Sequence, residues 1–201
     1  MFNSERKRKE AEMQASHRLP PGQSLTEKWP VLHYGDVPPF DPSRWDFRVA
    51  GLVENPTRFS WSEFMALPKV EMTVDIHCVT RWSRFDMRFE GVPFKVIQEL
   101  VKPRPQARFV LVHAEQGFTA NAPLEDLLRD HVMFALRADG ADLEPEHGYP
   151  LRLVVPHLYL WKSVKWVRGI EFMASNRPGF WEQNGYHMYG DPWKEQRFDY
   201  S

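Results

Sequence analysis

The chain has 201 residues, a formal net charge of −1, 42% apolar and 26% charged residues, the composition of a soluble globular domain large enough to bury a core. So balanced a charge excludes the basic field that a nucleic-acid binder needs, and no stretch approaches the roughly 18 apolar residues of a membrane span. A single cysteine excludes an internal disulfide, and 8 Trp with 17 Pro point to loops rather than a helical bundle.

Residues 1–28 read as a polar lead-in, whose run Arg6-Lys7-Arg8-Lys9 is expected to be a solvated helix face or a frayed tail. Glu10, Glu12, Gln14 and His17 follow it where a secretory signal would be apolar, and Arg6 and Arg8 are not adjacent as in a twin-arginine signal. The chain is therefore expected to be cytoplasmic. One domain is predicted over 29–201. Its first part, Trp29 to Gly35 and then Pro38-Pro39, is extended chain lying over a surface, because consecutive prolines disfavour helix and central strand. Asp46 to Val53 reads as a strand. Ser60-Trp61-Ser62-Glu63 is a capping box that opens a short helix stopped by Pro68. Val70, Met72, Val74 and Ile76 alternate with polar residues at period two, which predicts a half-buried strand delivering Cys78 at its end.

Pro93 opens a short helix with Phe94, Ile97, Leu100 and Val101 as its apolar stripe. Strands are predicted at Phe109–His113, Leu151–Val155 and Ile170–Met173, and a helical turn at Pro123–Leu128. Val132–Leu136 is an apolar run that Asp139-Gly140 turns back. The last thirty residues are loop-rich and aromatic, with Phe180, Trp181, Tyr186, Tyr189 and Trp193. The sum is an α+β domain of mixed β-sheets, short helices and long ordered loops.

Two groups of residues could carry chemistry. Cys78 lies among His77, Thr80, Arg81, Trp82 and Ser83. Arg81 and a protonated His77 would favour the thiolate, the form that binds metals; a small buried hydrophobe is the competing reading. The second group is Arg152, His157, Lys162, Ser163 and Lys165, a set of cations and a hydroxyl suited to a phosphate, or else the surface ends of two strands. The eight histidines make no metal-ligand spacing, and no P-loop, G-x-G-x-x-G or C-x-x-C occurs.

The stretch His77-Cys78-Val79-Thr80-Arg81-Trp82-Ser83 resembles the cysteine motif of the sulfite-oxidase superfamily of molybdenum enzymes, most of all the branch that includes the periplasmic methionine-sulfoxide reductase catalytic subunit. Pro150 to Pro156 and Trp161 to Trp166 resemble that superfamily's pterin-phosphate segment, and family-like sequence covers most of 30–195. The resemblance implies a sulfite-oxidase-like molybdopterin-binding fold and a molybdenum–molybdopterin cofactor. It implies Cys78 as the protein ligand to the metal, with Arg81 and Trp82 flanking the substrate. It implies Arg152, Ser163, Val164 and Lys165 around the pterin phosphate and His147 on the pterin, where the periplasmic branch has Asn. His33 and Tyr34 would cover the cofactor, and Thr119 and Asn121, on the loop after the 109–113 strand, would line the site.

Arg81 stands where that branch has a small neutral residue, and a cation there would favour an oxyanion such as sulfite over a neutral sulfoxide. The implied activity is oxygen-atom transfer to or from a small sulfur-containing or oxyanion substrate. A separate electron-transfer partner is expected, because nothing resembles a haem or iron–sulfur motif. Two rival readings remain: a non-catalytic carrier of the cofactor, and a cofactor-free thiol enzyme, which would lack a resolving cysteine.

Overall fold

A computed structural model describes residues 2–200. The elements are α1 (Phe2–Ala15), β1 (Ser24–Leu25), β2 (Asp46–Gly51), β3 (Thr57–Ser60), α2 (Trp61–Met65), β4 (Val70–His77), β5 (Trp82–Pro93), α3 (Phe94–Val101), β6 (Phe109–Ala114), β7 (Thr119–Pro123), α4 (Leu124–Leu127), β8 (Met133–Ala138), β9 (Ala141–Asp142), β10 (Arg152–Val154), β11 (Val167–Met173) and α5 (Phe180–Gln183), joined by loops and single 3₁₀ turns. The capping box forms as its residues dictate: Ser60 accepts from the Glu63 amide while the Glu63 side chain accepts from the Ser60 amide. The helix after Pro93 buries Phe94, Ile97 and Val101 but leaves Leu100 46% exposed, so its buried stripe is narrower than predicted.

The strands form two sheets. One has the order β3-β2-β11-β6-β7. The other is built on β5, whose one edge pairs with β4 along its length, while the other edge is shared by β1 at its start and β8 towards its end. β8 continues to β10 and to the short β9. Leu151, Leu153, Val155, Phe134 and Leu136 face the main core, which holds most of the first sheet's apolar side chains. Their neighbours Met133, Ala135 and Val154 face a second, smaller core with Ile76, Met87 and Phe89. The unbroken apolar run at 132–136 is thus two alternating sets, each buried by a different layer.

One sequence expectation is corrected here, and one strand was not foreseen. Part of the lead-in packs on the fold: Leu19 is 1% exposed, and Ser24 and Leu25 pair with Trp82 and Ser83 as an edge of the second sheet. Its basic run lies on α1 with Lys7, Arg8 and Lys9 exposed; the side chain of Arg6 lies outside the described residues. Thr119 and Asn121 lie on strand β7, not on a loop. β5, the longest strand, escaped the sequence reading because charged residues interrupt its apolar pattern and its register shifts between Glu90 and Gly91.

Candidate active site

Period two brings the two chemical groups together. On β4, Met72, Val74 and Ile76 pack on the smaller core, and Cys78 is next on that side of the strand. On and beside β10, Leu151, Leu153 and Val155 point into the main core, which turns Arg152 to the opposite face. Between them lies a cavity of about 340 Å³ whose wall includes Cys78, Arg152, Ser163, Val164 and Lys165.

Cys78 sits on a tight turn. Its amide donates to the Trp82 carbonyl at 2.9 Å, and the Arg81 amide donates to the Cys78 carbonyl at 3.0 Å, with Arg81 in the left-handed region at φ 72°. Two buried polar side chains brace this turn from behind. Gln23 Nε2 donates to the carbonyls of Cys78 and Trp82, each at 3.0 Å. Arg197 Nη1 donates to the Val79 carbonyl at 2.7 Å, and its Nη2 to Gln23 Oε1 at 3.2 Å. Cys78 Sγ lies 3.0 Å from Thr80 Oγ1. Burial pushes the Cys78 thiol up, and the Thr80 hydrogen bonds and the charges of Arg197 and Lys165 oppose that only in part.

The cations expected beside the thiol are therefore not those that act on it. His77 is buried, bonds Ser83 Oγ at 2.8 Å, and is driven to about 4 by desolvation, so it is neutral near pH 7. Arg81 is exposed, stands outside the cavity wall, and directs its guanidinium towards Gly22. The left-handed turn that presents Cys78 also turns Arg81 away from the cavity wall.

Arg152 is 2% exposed. It donates to the carbonyls of His147 (2.8 Å) and Ser163 (3.0 Å), and its guanidinium carbon lies 5.1 Å from the Trp29 ring centroid. Its Nε has no hydrogen-bond partner among the described residues. Burial alone lowers it, to about 10, with no carboxylate opposing the shift. A buried cation without a counter-charge is costly, so this end of the cavity is built for an anion. Ser163 Oγ accepts from the Val155 amide at 2.9 Å, which leaves its own proton to donate. Lys165 Nζ donates to the carbonyls of Leu32 (2.8 Å) and Glu146 (2.6 Å). Burial first, then Arg152, lowers it to about 7.

His147 stacks on Trp29 at 3.9 Å, and its Nε2 lies 3.2 Å from the Trp29 carbonyl oxygen. His33 and Tyr34 are on the cavity wall, His33 edge-on to Trp166 and Tyr34 against Phe180. Trp82 also lines it. Lys162 does not belong to the cationic set: its ammonium is buried on Glu182 Oε1 (2.5 Å), Asn121 Oδ1 (2.7 Å) and the Met188 carbonyl (2.8 Å). That pair accounts for Asn121, which holds Lys162 rather than lining the cavity; Thr119 is likewise off the wall. Glu182 Oε1 also accepts from Trp161 Nε1 at 2.8 Å, which fixes the indole that closes one side of the cavity. Sequence reasoning missed Trp29, Trp161, Gln23 and Arg197 as site residues. It noted the aromatic C-terminal stretch without giving it a place; Phe180, Trp181 and Tyr186 form the cavity rim with Phe118.

The sequence matches the model of the oxidoreductase molybdopterin binding domain over residues 34–181. The chain belongs to this family. It is 50% identical over 184 residues to an uncharacterized oxidoreductase, YuiH, of Bacillus subtilis, covering 91% of this chain and 93% of that protein. It is 27% identical to a putative protein-methionine-sulfoxide reductase subunit, YedZ1, of Azospira oryzae, over 85% of this chain and 66% of that one. With the protein-methionine-sulfoxide reductase catalytic subunit MsrP of Campylobacter jejuni the identity is 25%, over 75% and 56%. The fold matches the sulfane dehydrogenase SoxCD of Paracoccus pantotrophus with a TM-score of 0.64 at 25% identity, over 71% of this chain and 41% of that one. The chain spans nearly all of the B. subtilis relative but two thirds or less of the others.

This molybdopterin-binding domain is thus an oxidoreductase of the sulfite-oxidase superfamily with the fold expected from the sequence, and molybdenum–molybdopterin is its cofactor. The cavity fits that group: an uncompensated buried guanidinium, a free hydroxyl and an ammonium stand at one part of the wall, and the only thiol of the chain is on the same wall.

Proposed function

We propose that the enzyme moves an oxygen atom between water and a small neutral sulfur compound of the sulfoxide type, in two-electron steps supplied by a separate redox partner. In this reading the Cys78 thiolate is the protein ligand to the metal, which takes soft, deprotonated sulfur. Arg152, Ser163, Lys165 and the Val164 backbone hold the pterin phosphate, and His147 contacts the pterin. His33 and Tyr34 cover the group, and Trp82 bounds the space beside Cys78. When bound, the cofactor supplies the oxo transfer and the two-electron redox couple. The residues bind it, orient it and exclude water. For reduction the balance is sulfoxide plus two electrons and two protons to sulfide plus water.

The observation that carries the cofactor assignment is Arg152, buried with no carboxylate offsetting its charge and on the same wall as Cys78. The neutral substrate is supported by the aromatic rim and by Arg81 facing away, which removes the cation that had favoured an oxyanion. The sulfoxide-reductase names of two relatives point the same way.

The test is elemental and pterin analysis of wild type and Cys78→Ser from a host that makes the cofactor, followed by assays with artificial electron carriers. Near-stoichiometric molybdenum in wild type is expected, with sulfoxide reduction faster than sulfite oxidation and both lost in Cys78→Ser. Molybdenum without turnover of either substrate would favour the carrier reading; a folded wild type without molybdenum would overturn the assignment of the site.

A further inference from the structure

Residues 29–36 cross the cavity as a strap that belongs to neither sheet. Among the described residues, no main-chain hydrogen bond to another backbone group ties down residues 29–36. Side chains hold the strap instead, and they come from the cavity wall. His147 stacks on Trp29 and bonds its carbonyl; Arg152 lies over the Trp29 ring. Lys165 donates to the Leu32 carbonyl at 2.8 Å. Trp166 meets His33, and Phe180 meets Tyr34. From the β6–β7 turn, Gln116 donates to the Asp36 carbonyl at 3.0 Å. Gly35, at φ 77°, lets the chain bend under that side chain: a Cβ there would stand 2.6 Å from Gln116 Oε1. The strap is also open to solvent, with Val31 46%, Leu32 51% and Tyr34 63% exposed.

We propose that the 29–36 strap is a gate for cofactor entry, latched shut by the same side chains that hold the cofactor. The inference rests on the cofactor placement argued above. Lys165 has three N–H donors, of which Leu32 and Glu146 take two; the third is free for a phosphate oxygen. A bound phosphate also supplies the missing counter-charge of Arg152, the guanidinium under Trp29. The anion therefore fixes in place the two cations on which the strap rests. Without it, Lys165 and Arg152 repel one another, and the strap has no sheet ladder to keep it closed. The cofactor-free protein then opens a path that the loaded protein covers.

The experiment compares full-length protein made with and without cofactor synthesis in the host, under limited chymotrypsin cleavage with sites assigned by mass spectrometry. Cleavage after Leu32 or Tyr34 is expected at least tenfold faster in the cofactor-free protein, while sites elsewhere change little. In the loaded protein, Gln116→Ala removes one latch away from the cations and is expected to speed both strap cleavage and cofactor release about fivefold, the worth of one hydrogen bond. Equal strap cleavage with and without cofactor, or a Gln116→Ala protein that releases cofactor at the wild-type rate, would overturn the gate. Molybdenum content is measured on the same samples, so a wild type that carries no cofactor refutes the site assignment, and one that carries it with an indifferent strap refutes the gate alone.

Discussion

Lys165 joins three parts of the molecule: the cationic end of the cavity, the strap, and, through its charge, Cys78. Its ammonium is held down to about 7, from an ordinary 10.5, chiefly by burial and secondly by Arg152. In cofactor-free protein the unfolded chain therefore binds a proton between about pH 7 and 10.5 that the folded chain does not. Stability must rise with pH across that window, because the unfolded state binds more protons there. Between pH 7 and 8.5 the melting temperature of cofactor-free wild type is expected to rise, and Lys165→Met should remove the rise while raising the value at pH 7. Scanning calorimetry at several pH values measures both; a wild-type slope unchanged in the variant would assign the effect elsewhere. Above that range the Cys78 thiol, pushed up by burial, works in the opposite sense, so the difference between the two proteins is the quantity to follow. At this scale the sequence shows residue types but not protonation. His77 and Arg81 looked like activators of Cys78 because they adjoin it in sequence, yet burial and a left-handed turn remove both, and Arg197, more than a hundred residues away, takes over.

Among the elements, β5 carries the site, since its start pairs with the strand that leads into Cys78 and its end pairs with β8 of the phosphate side. It passes β8 where the register shifts between Glu90 and Gly91. A Cβ on Gly91 would fall 2.1 Å from the Phe134 carbonyl oxygen and 2.7 Å from the Ala135 Cα. Both are backbone atoms of a buried strand and cannot swing aside. Gly91→Ala is expected to cost on the order of 3 kcal/mol, at the upper end for single substitutions that strain the backbone, measured by urea unfolding. A loss below about 0.5 kcal/mol, the range of harmless surface changes, would show that the two strands can separate there freely. Elements with strong local signals were legible: the capping box of α2, the alternation of β4, and Pro93 before α3. β5 and β7 were not: charged residues interrupt the apolar pattern of β5, and the five residues of β7, Thr-Ala-Asn-Ala-Pro, are too small and polar to show an alternation.

For the whole molecule, a buried and a half-buried cation and a solvated strap mean that the protein without its cofactor carries a defect that the cofactor repairs. A group that binds only the folded state at a thousand times its dissociation constant adds about 4 kcal/mol, which for a chain of this size raises the melting temperature by about 10 °C. Loaded wild type is expected to exceed cofactor-free protein by at least that much in calorimetry. Equal melting temperatures would mean that the cations are not compensated by the bound group.

The sequence by itself determined the class of the molecule and its chemical centre. The α+β pattern, the Cys78 motif and the Arg152 to Lys165 segment are local in the chain, and their spacing carries over into family membership. Tertiary structure alone decided which residues share the cavity. It removed Lys162 and Asn121 into a buried ion-pair cluster, put Arg81, Thr119 and Asn121 off the wall, and brought in Trp29, Trp161, Gln23 and Arg197. The physical reason is that side-chain direction follows from the strand alternation, but what a side chain meets, and whether it keeps its charge there, depends on burial by segments that only the folded chain brings near.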